Sequence, residues 1–166
     1  QYIRDFKVVS GLSEDYKNGS FSLDMEVVNM GSADVPVLVE AVLFDHGDEV
    51  EKFTESVNLG SQPTGINFSA IVPSVRKWNA ETPELYELLM MIKDTDGDII
   101  ELIRQEVGFR TVEIRESKLL INGQYVYMKG ADLHEHHDVK GHVVDEETML
   151  KDIRTMKEHN LNAVRT

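Results

Sequence analysis

Between Ser20 and Asn29 apolar and polar residues alternate: Phe21, Leu23, Met25 and Val27 fall on one side, Ser22, Asp24 and Glu26 on the other. A period of two is the mark of a strand with one face buried and one face wet, as in antiparallel sheets. The pattern returns at Gly65–Val72, where Ile66, Phe68, Ala70 and Val72 share a side, and at Val35–Asp45 with Val37, Val39, Ala41 and Leu43. Ile3–Val9, the shorter segments Glu49–Phe53 and Glu55–Leu59, Leu85–Asp94 and Ile99–Val107 complete a series punctuated by turn residues such as Gly31-Ser32-Ala33-Asp34, His46-Gly47-Asp48 and Thr95-Asp96-Gly97-Asp98. Leu85–Asp94 is apolar enough to be buried on both faces. Seven or eight short strands with turns at this spacing predict a two-sheet antiparallel sandwich of immunoglobulin type over residues 1–112. Trp78, beside Pro83 at the entrance to the strand at Leu85, is read as a loop plug rather than a sugar-stacking surface.

From residue 113 the pattern changes. Lys118–Ile121 and Gln124–Met128 flank Asn122-Gly123, the strongest short-range signal for a two-residue hairpin turn. A strand over Tyr125–Leu133 then runs into His134-Glu135-His136-His137. Asp145 is a helix N-cap followed by Glu146 and Glu147, where the helix dipole favours negative charge. Met149, Ile153 and Met156 make an apolar stripe with Leu150 at its flank, and His159-Asn160 ends the helix. Leu161–Arg165 reads as the next strand. Strand, helix and strand form a βα unit whose parallel strands belong in a larger covered sheet, so residues 113–166 read as the opening of an α/β domain. The expected fold class is therefore mainly β, a sandwich followed by a partial (β/α) barrel segment.

Bulk properties exclude several functions. The chain has 166 residues, a formal net charge of −13 and no cysteine. The acidic balance argues against nucleic acid and anionic membrane surfaces as partners. Without cysteine there is neither a disulfide framework nor a thiolate metal site, and the compartment stays open. No apolar run approaches the roughly 18 residues that span a membrane.

The chemistry concentrates at the histidine run. His134-Glu135-His136-His137 lacks the helical i, i+4 histidine pair of the HExxH zinc signature, and in an extended segment only His134 and His136 share a face, so no metal site is expected. Two readings remain: imidazoles at the C-terminal end of a strand that bind a polar substrate, or histidines that cap turns and satisfy carbonyls. One or two functional histidines among structural ones is the expectation.

Val107-Gly108-Phe109-Arg110, Leu120-Ile121-Asn122-Gly123, Lys129-Gly130-Ala131-Asp132-Leu133-His134-Glu135-His136-His137, Asp145–Met149 and Asn162-Ala163-Val164-Arg165 occur in that order. Together they resemble the glycoside hydrolase family 2 β-galactosidases, from the central sandwich into the first βα unit of the TIM barrel. The Trp78…Pro83-Glu84-Leu85-Tyr86 run also resembles that sandwich. The resemblance implies retaining hydrolysis of terminal β-D-galactosides, with a galactoside as the partner of the full-length enzyme. It matches His134 to the histidine that contacts the galactosyl group in the transition state, and Arg165 to an arginine near the sugar. The family's two catalytic glutamates and its usual magnesium ligands lie on later barrel strands, so these residues alone are expected to be inactive and to hold no cofactor. Leu133, where a basic residue is frequent, and Asp132, often Asn, depart from the family pattern. The alternative is a stand-alone sandwich module that binds a glycan or protein. A further expectation is self-association through the incomplete barrel segment, whose apolar positions lack neighbours.

Overall fold

The computed structural model describes residues 1–166. Seven strands build the first part: β1 (Tyr2–Leu12), β2 (Gly19–Val28), β3 (Val35–Asp45), β4 (Asp48–Leu59), β5 (Thr64–Val72), β6 (Tyr86–Lys93) and β7 (Ile99–Val107). They form two antiparallel sheets, β1-β2-β5 and β4-β3-β6-β7, with β2 to β3, β4 to β5 and β5 to β6 joining one sheet to the other. The alternating side of β2 and that of β3 supply the facing core layers: Leu23, Val27, Val39, Ala41 and Leu43 are completely buried, with Leu88, Met90 and Ile92 of β6. Phe53 of β4 stacks between Phe21 and Phe68, ring centroids 5.6 and 5.2 Å away. This is the immunoglobulin-like sandwich that the sequence predicts.

The segments Glu49–Phe53 and Glu55–Leu59 are one strand of 12 residues, not two. Thr54 does not interrupt it, because it sits in register opposite Glu40 of β3. His46 and Gly47, with φ of 51° and 92°, make the two-residue turn into β4, the geometry that suits the twist of paired strands. As expected, β6 buries both faces at its centre, where Met90, Met91 and Ile92 all lie inside.

The loop after β5 is tied down by ion pairs. Arg76 holds Asp45 through Nε and Nη2 at 3.0 and 2.5 Å, pairs with Glu84, and lies over the Tyr86 ring, while its backbone N–H donates to Tyr86 Oη. Trp78 takes the plug role. Its backbone N–H donates to the Phe109 carbonyl, and the Arg110 guanidinium lies 4.4 Å from its ring centroid. Gly19 is fixed by close approach rather than by its dihedral: a Cβ there would lie 2.6 Å from Phe109 and 2.8 Å from Val75.

A small sheet of β8 (Val112–Arg115), β9 (Lys118–Ile121) and β10 (Gln124–Tyr125) follows, in the order β10-β9-β8. Asn122 and Gly123 adopt φ of 52° and 75°, the predicted hairpin turn. Asn122 does more than turn. Its Oδ1 accepts from Thr111 N and its Nδ2 donates to the Trp78 carbonyl, each at 3.0 Å. By contacts the chain divides into two units, residues 1–113 with 120–124, and residues 114–119 with 125–166.

The second unit holds β11 (Gly130–Asp132), α1 (Glu146–Glu158) and β12 (Ala163–Arg165). The strand expected over Tyr125–Leu133 is thus broken up, with Tyr125 ending β10, three residues in β11, and Val126–Lys129 irregular between them. Strands β11 and β12 are parallel, in the register Gly130↔Ala163, Ala131↔Val164 and Asp132↔Arg165. Helix α1 starts as its sequence dictates: Asp145 Oδ1 accepts from the N–H and hydroxyl of Thr148 at 3.0 and 2.7 Å. It ends on Asn160 at φ 56°, with Asn160 N–H on the Lys157 carbonyl and Leu161 N–H on the Met156 carbonyl, the paired bonds of a Schellman motif. None of its residues is buried, and Met149, Leu150 and Ile153 stay exposed.

Candidate functional site

A βα unit places its polar residues by strand direction, since loops at the C-terminal ends of parallel strands converge on one edge of the sheet. Register does this here. Asp132 and Arg165, the last residues of β11 and β12, face each other, and Arg165 Nη1 lies 3.5 Å from Asp132 Oδ1. The Leu133 N–H donates to the Arg165 carbonyl at 2.8 Å, which carries the pairing one residue further. His134 follows immediately and is exposed. The two predicted site residues therefore sit at the same end of adjacent parallel strands, and Arg165, but not His134, lines an open concavity of about 420 Å³ with Met128, Ala131, Asp132 and Val164 among others.

What holds the two strands together was only partly visible in the sequence. Asn162 accepts from Lys129 N at 2.8 Å and donates to the Tyr127 carbonyl at 3.0 Å, so one amide occupies the polar groups of the irregular approach to β11. Gly130 must lack a side chain, because a Cβ there would lie 2.8 Å from the Ala163 carbonyl oxygen. Local sequence pattern alone marks neither residue for these tasks. The signal that could have found Asn162 is its place just before a strand whose partner begins at a glycine.

The histidines divide by role. His137 Nδ1 accepts from the Val139 and Lys140 N–H groups at 3.0 and 3.1 Å, which makes it the cap of the turn that follows. His142 Nδ1 lies 3.1 Å from the Glu135 carbonyl and, facing an oxygen that can only accept, carries the proton. The segment is not an extended strand past Leu133. It bends at Glu135, and His136 meets His142 edge-on, ring centroids 4.8 Å apart. Nowhere do three or more His, Asp or Glu side chains converge as a metal cage would require. Lys140 pairs with Asp145, and hydrogen bonds from Lys140 and then Thr148 hold the Asp145 carboxyl well below its ordinary range. The charged cap thereby ties the histidine loop to the start of α1.

An antiparallel sandwich followed in the chain by a parallel strand–helix–strand unit defines a class by fold: a β-sandwich domain joined to the opening of an α/β domain. Residues 1–110 match the family described as "Glycosyl hydrolases family 2", and residues 112–166 match "Glycosyl hydrolases family 2, TIM barrel domain". The chain belongs to glycoside hydrolase family 2. It is 37% identical to a β-galactosidase of Priestia megaterium over 99% of its own length and 16% of that protein's. The chain thus spans about 16% of the length of the curated relatives it matches. Among solved structures, a family 2 glycosyl hydrolase from Bacteroides cellulosilyticus superposes with a TM-score of 0.83 at 18% identity, over 96% of this chain and 21% of that one. A β-glucuronidase from Ruminococcus gnavus in complex with D-glucaro 1,5-lactone superposes with a TM-score of 0.75 at 25% identity, over 99% of this chain and 25% of that one.

Proposed function

We propose that this chain is part of a retaining β-galactosidase, in which His134 hydrogen-bonds the galactosyl group as charge develops at the anomeric carbon and Arg165 borders the sugar. One observation carries the reading: the sequence relatives are β-galactosidases over nearly the whole chain, whereas the superposable structures include β-glucuronidases at lower identity. A shared fold does not choose the sugar, so the reading leans on the sequence likeness.

The chemistry assigned to these residues is modest. A neutral imidazole or a guanidinium at a strand end donates hydrogen bonds that strengthen as the transition state acquires charge. Asp132 orients Arg165 through their ion pair. Bond cleavage itself needs two carboxyl groups about 5–5.5 Å apart, one acting as acid/base and the other as nucleophile. By the family resemblance both come from later barrel strands, and residues 1–166 alone have no turnover.

The test is a pair of assays on chromogenic β-galactoside and β-glucuronide. In the polypeptide that carries this chain, His134→Ala lowers kcat on the galactoside by roughly 10²–10³-fold, the usual cost of one transition-state hydrogen-bond donor. Preference for the glucuronide, or an unchanged kcat in the variant, overturns the assignment. Turnover by residues 1–166 alone would show that the carboxyl pair lies within them.

A further inference from the structure

The loop after His134 contains a pair of imidazoles that the sugar chemistry leaves unused. His137 and Gly141 exchange both backbone hydrogen bonds, at 2.7 and 3.0 Å, across the three-residue turn Asp138-Val139-Lys140, with Gly141 at φ 69°. Positions 136 and 142 come next on the two arms. Residues flanking a hydrogen-bonded antiparallel pair face each other without backbone bonds between them, where side chains approach most closely. His136 and His142 are both exposed there, with ring centroids 4.8 Å apart.

Two further features point to a ligand. His142 donates its Nδ1–H to the Glu135 carbonyl, which leaves Nε2 unprotonated on an exposed ring. Metal-bound histidines almost always make that outer-shell bond, because it fixes tautomer and ring orientation. The spacing also fits. With metal–nitrogen bonds of about 2.0–2.1 Å and each ring nitrogen about 1.2 Å from its centroid, two imidazoles on one ion stand roughly 4.6–5.3 Å apart for angles of about 90–110°. A rotation of His136 about χ2, a soft torsion, turns its nitrogen from the edge-on contact toward a shared ion.

We propose that His136 and His142 form a two-imidazole site for a borderline divalent transition ion (Zn²⁺, Ni²⁺ or Cu²⁺), with water completing the coordination. The ion clamps the two arms of the loop that follows β11. Imidazole suits these metals, while the hard Mg²⁺ and Ca²⁺ prefer oxygen donors. His137 contributes no Nδ1 lone pair, since two backbone N–H groups occupy it. The site differs from the His134/His136 pairing that an extended strand would give.

The test is titration of the full chain with NiCl2 and with ZnCl2, followed by histidine ring resonances and by calorimetry, neither of which reads sugar chemistry. One equivalent of Ni²⁺ should broaden the His136 and His142 signals together and spare His46 and His159. His142→Ala should weaken binding by about tenfold or more. Because that variant also loses the bond to Glu135, His136→Phe serves as the second: it keeps an aromatic ring against His142 but removes the ligand, and should weaken binding equally. His159→Ala should leave affinity unchanged. Absence of saturable 1:1 binding, affinity retained in His136→Phe, or broadening centred on another histidine each overturns the proposal and leaves the glycosidase reading untouched.

Discussion

Glu40 stands on the outward face of β3, yet it is buried, with Lys93 Nζ 2.8 Å from one carboxylate oxygen and Lys52 Nζ 3.0 Å from the other. Burial alone would raise its pKa, but the hydrogen bonds from Lys93 and Lys52 win and hold it below the ordinary 4.5. A carboxyl group with a depressed folded pKa stabilises the protein fully above its unfolded pKa, and the contribution fades as pH falls through the folded value. The urea midpoint of the native chain should therefore drop more steeply below pH 4.5 than that of Glu40→Gln. At neutral pH, Glu40→Ala should cost about 1–3 kcal/mol, since it leaves the largely covered Lys93 ammonium without its carboxylate while Lys52 turns to water. Gly19 makes a second residue-scale case. Gly19→Ala forces its methyl group into Phe109 and Val75, and overpacking of this kind costs about 1–3 kcal/mol in denaturant unfolding. Alternation along β2 and β3 was legible because period two sorts faces directly, and Trp78 as a plug was legible from its neighbours. The burial of Glu40 was not, for it depends on which strands flank β3, and nothing local to Val35–Asp45 names Lys52 or Lys93 as partners.

At the scale of elements, the shortest sheet depends on the fewest groups. Strands β11 and β12 pair over three residues each, backed by the two Asn162 bonds and the close approach at Gly130. Asn162→Ala should raise amide exchange at Leu133 and Ala163 while leaving exchange in β2 and β3 unchanged. Helix α1 is legible from end to end, from the Asp145 cap through its acidic first turn to the Asn160 stop, because capping is local chemistry. Strand β4 reads as two segments in the sequence for the opposite reason. Its polar outward residues Lys52, Thr54 and Ser56 look like a break in sequence, but they are the wet face of one continuous ladder against β3. Likewise Tyr125–Leu133 has strand-like composition, but only Gly130–Asp132 finds a parallel partner.

Across the whole molecule the two units differ in how they bury apolar surface. The sandwich encloses a continuous core from Ile3 to Phe109, and Leu88→Ala at its centre should cost about 2–5 kcal/mol. The second unit leaves Met128, Met149, Ile153 and Val164 between 45 and 60% exposed. Exposed apolar side chains of that kind favour association, so the apparent mass of the 166-residue chain in light scattering should rise with concentration, and Met149→Glu with Ile153→Glu should bring it back to one chain. Family membership and sandwich architecture could be read from the sequence because both rest on long ordered patterns. The His136–His142 encounter could not, since it depends on a bend at Glu135.

The pairing of β3 with β6 sets the tempo at which this molecule assembles. Leu38 lies opposite Lys93, 55 positions along the chain, while β3 and β4 meet through a two-residue turn. Closing so long a loop spends chain entropy before any contact compensates it, so folding should be slow, on the order of milliseconds to seconds, with the β3–β4 hairpin in place first. Stopped-flow refolding should then show Val39→Ala, on the strand shared by both pairings, slowing folding more than Ile103→Val on the edge strand β7.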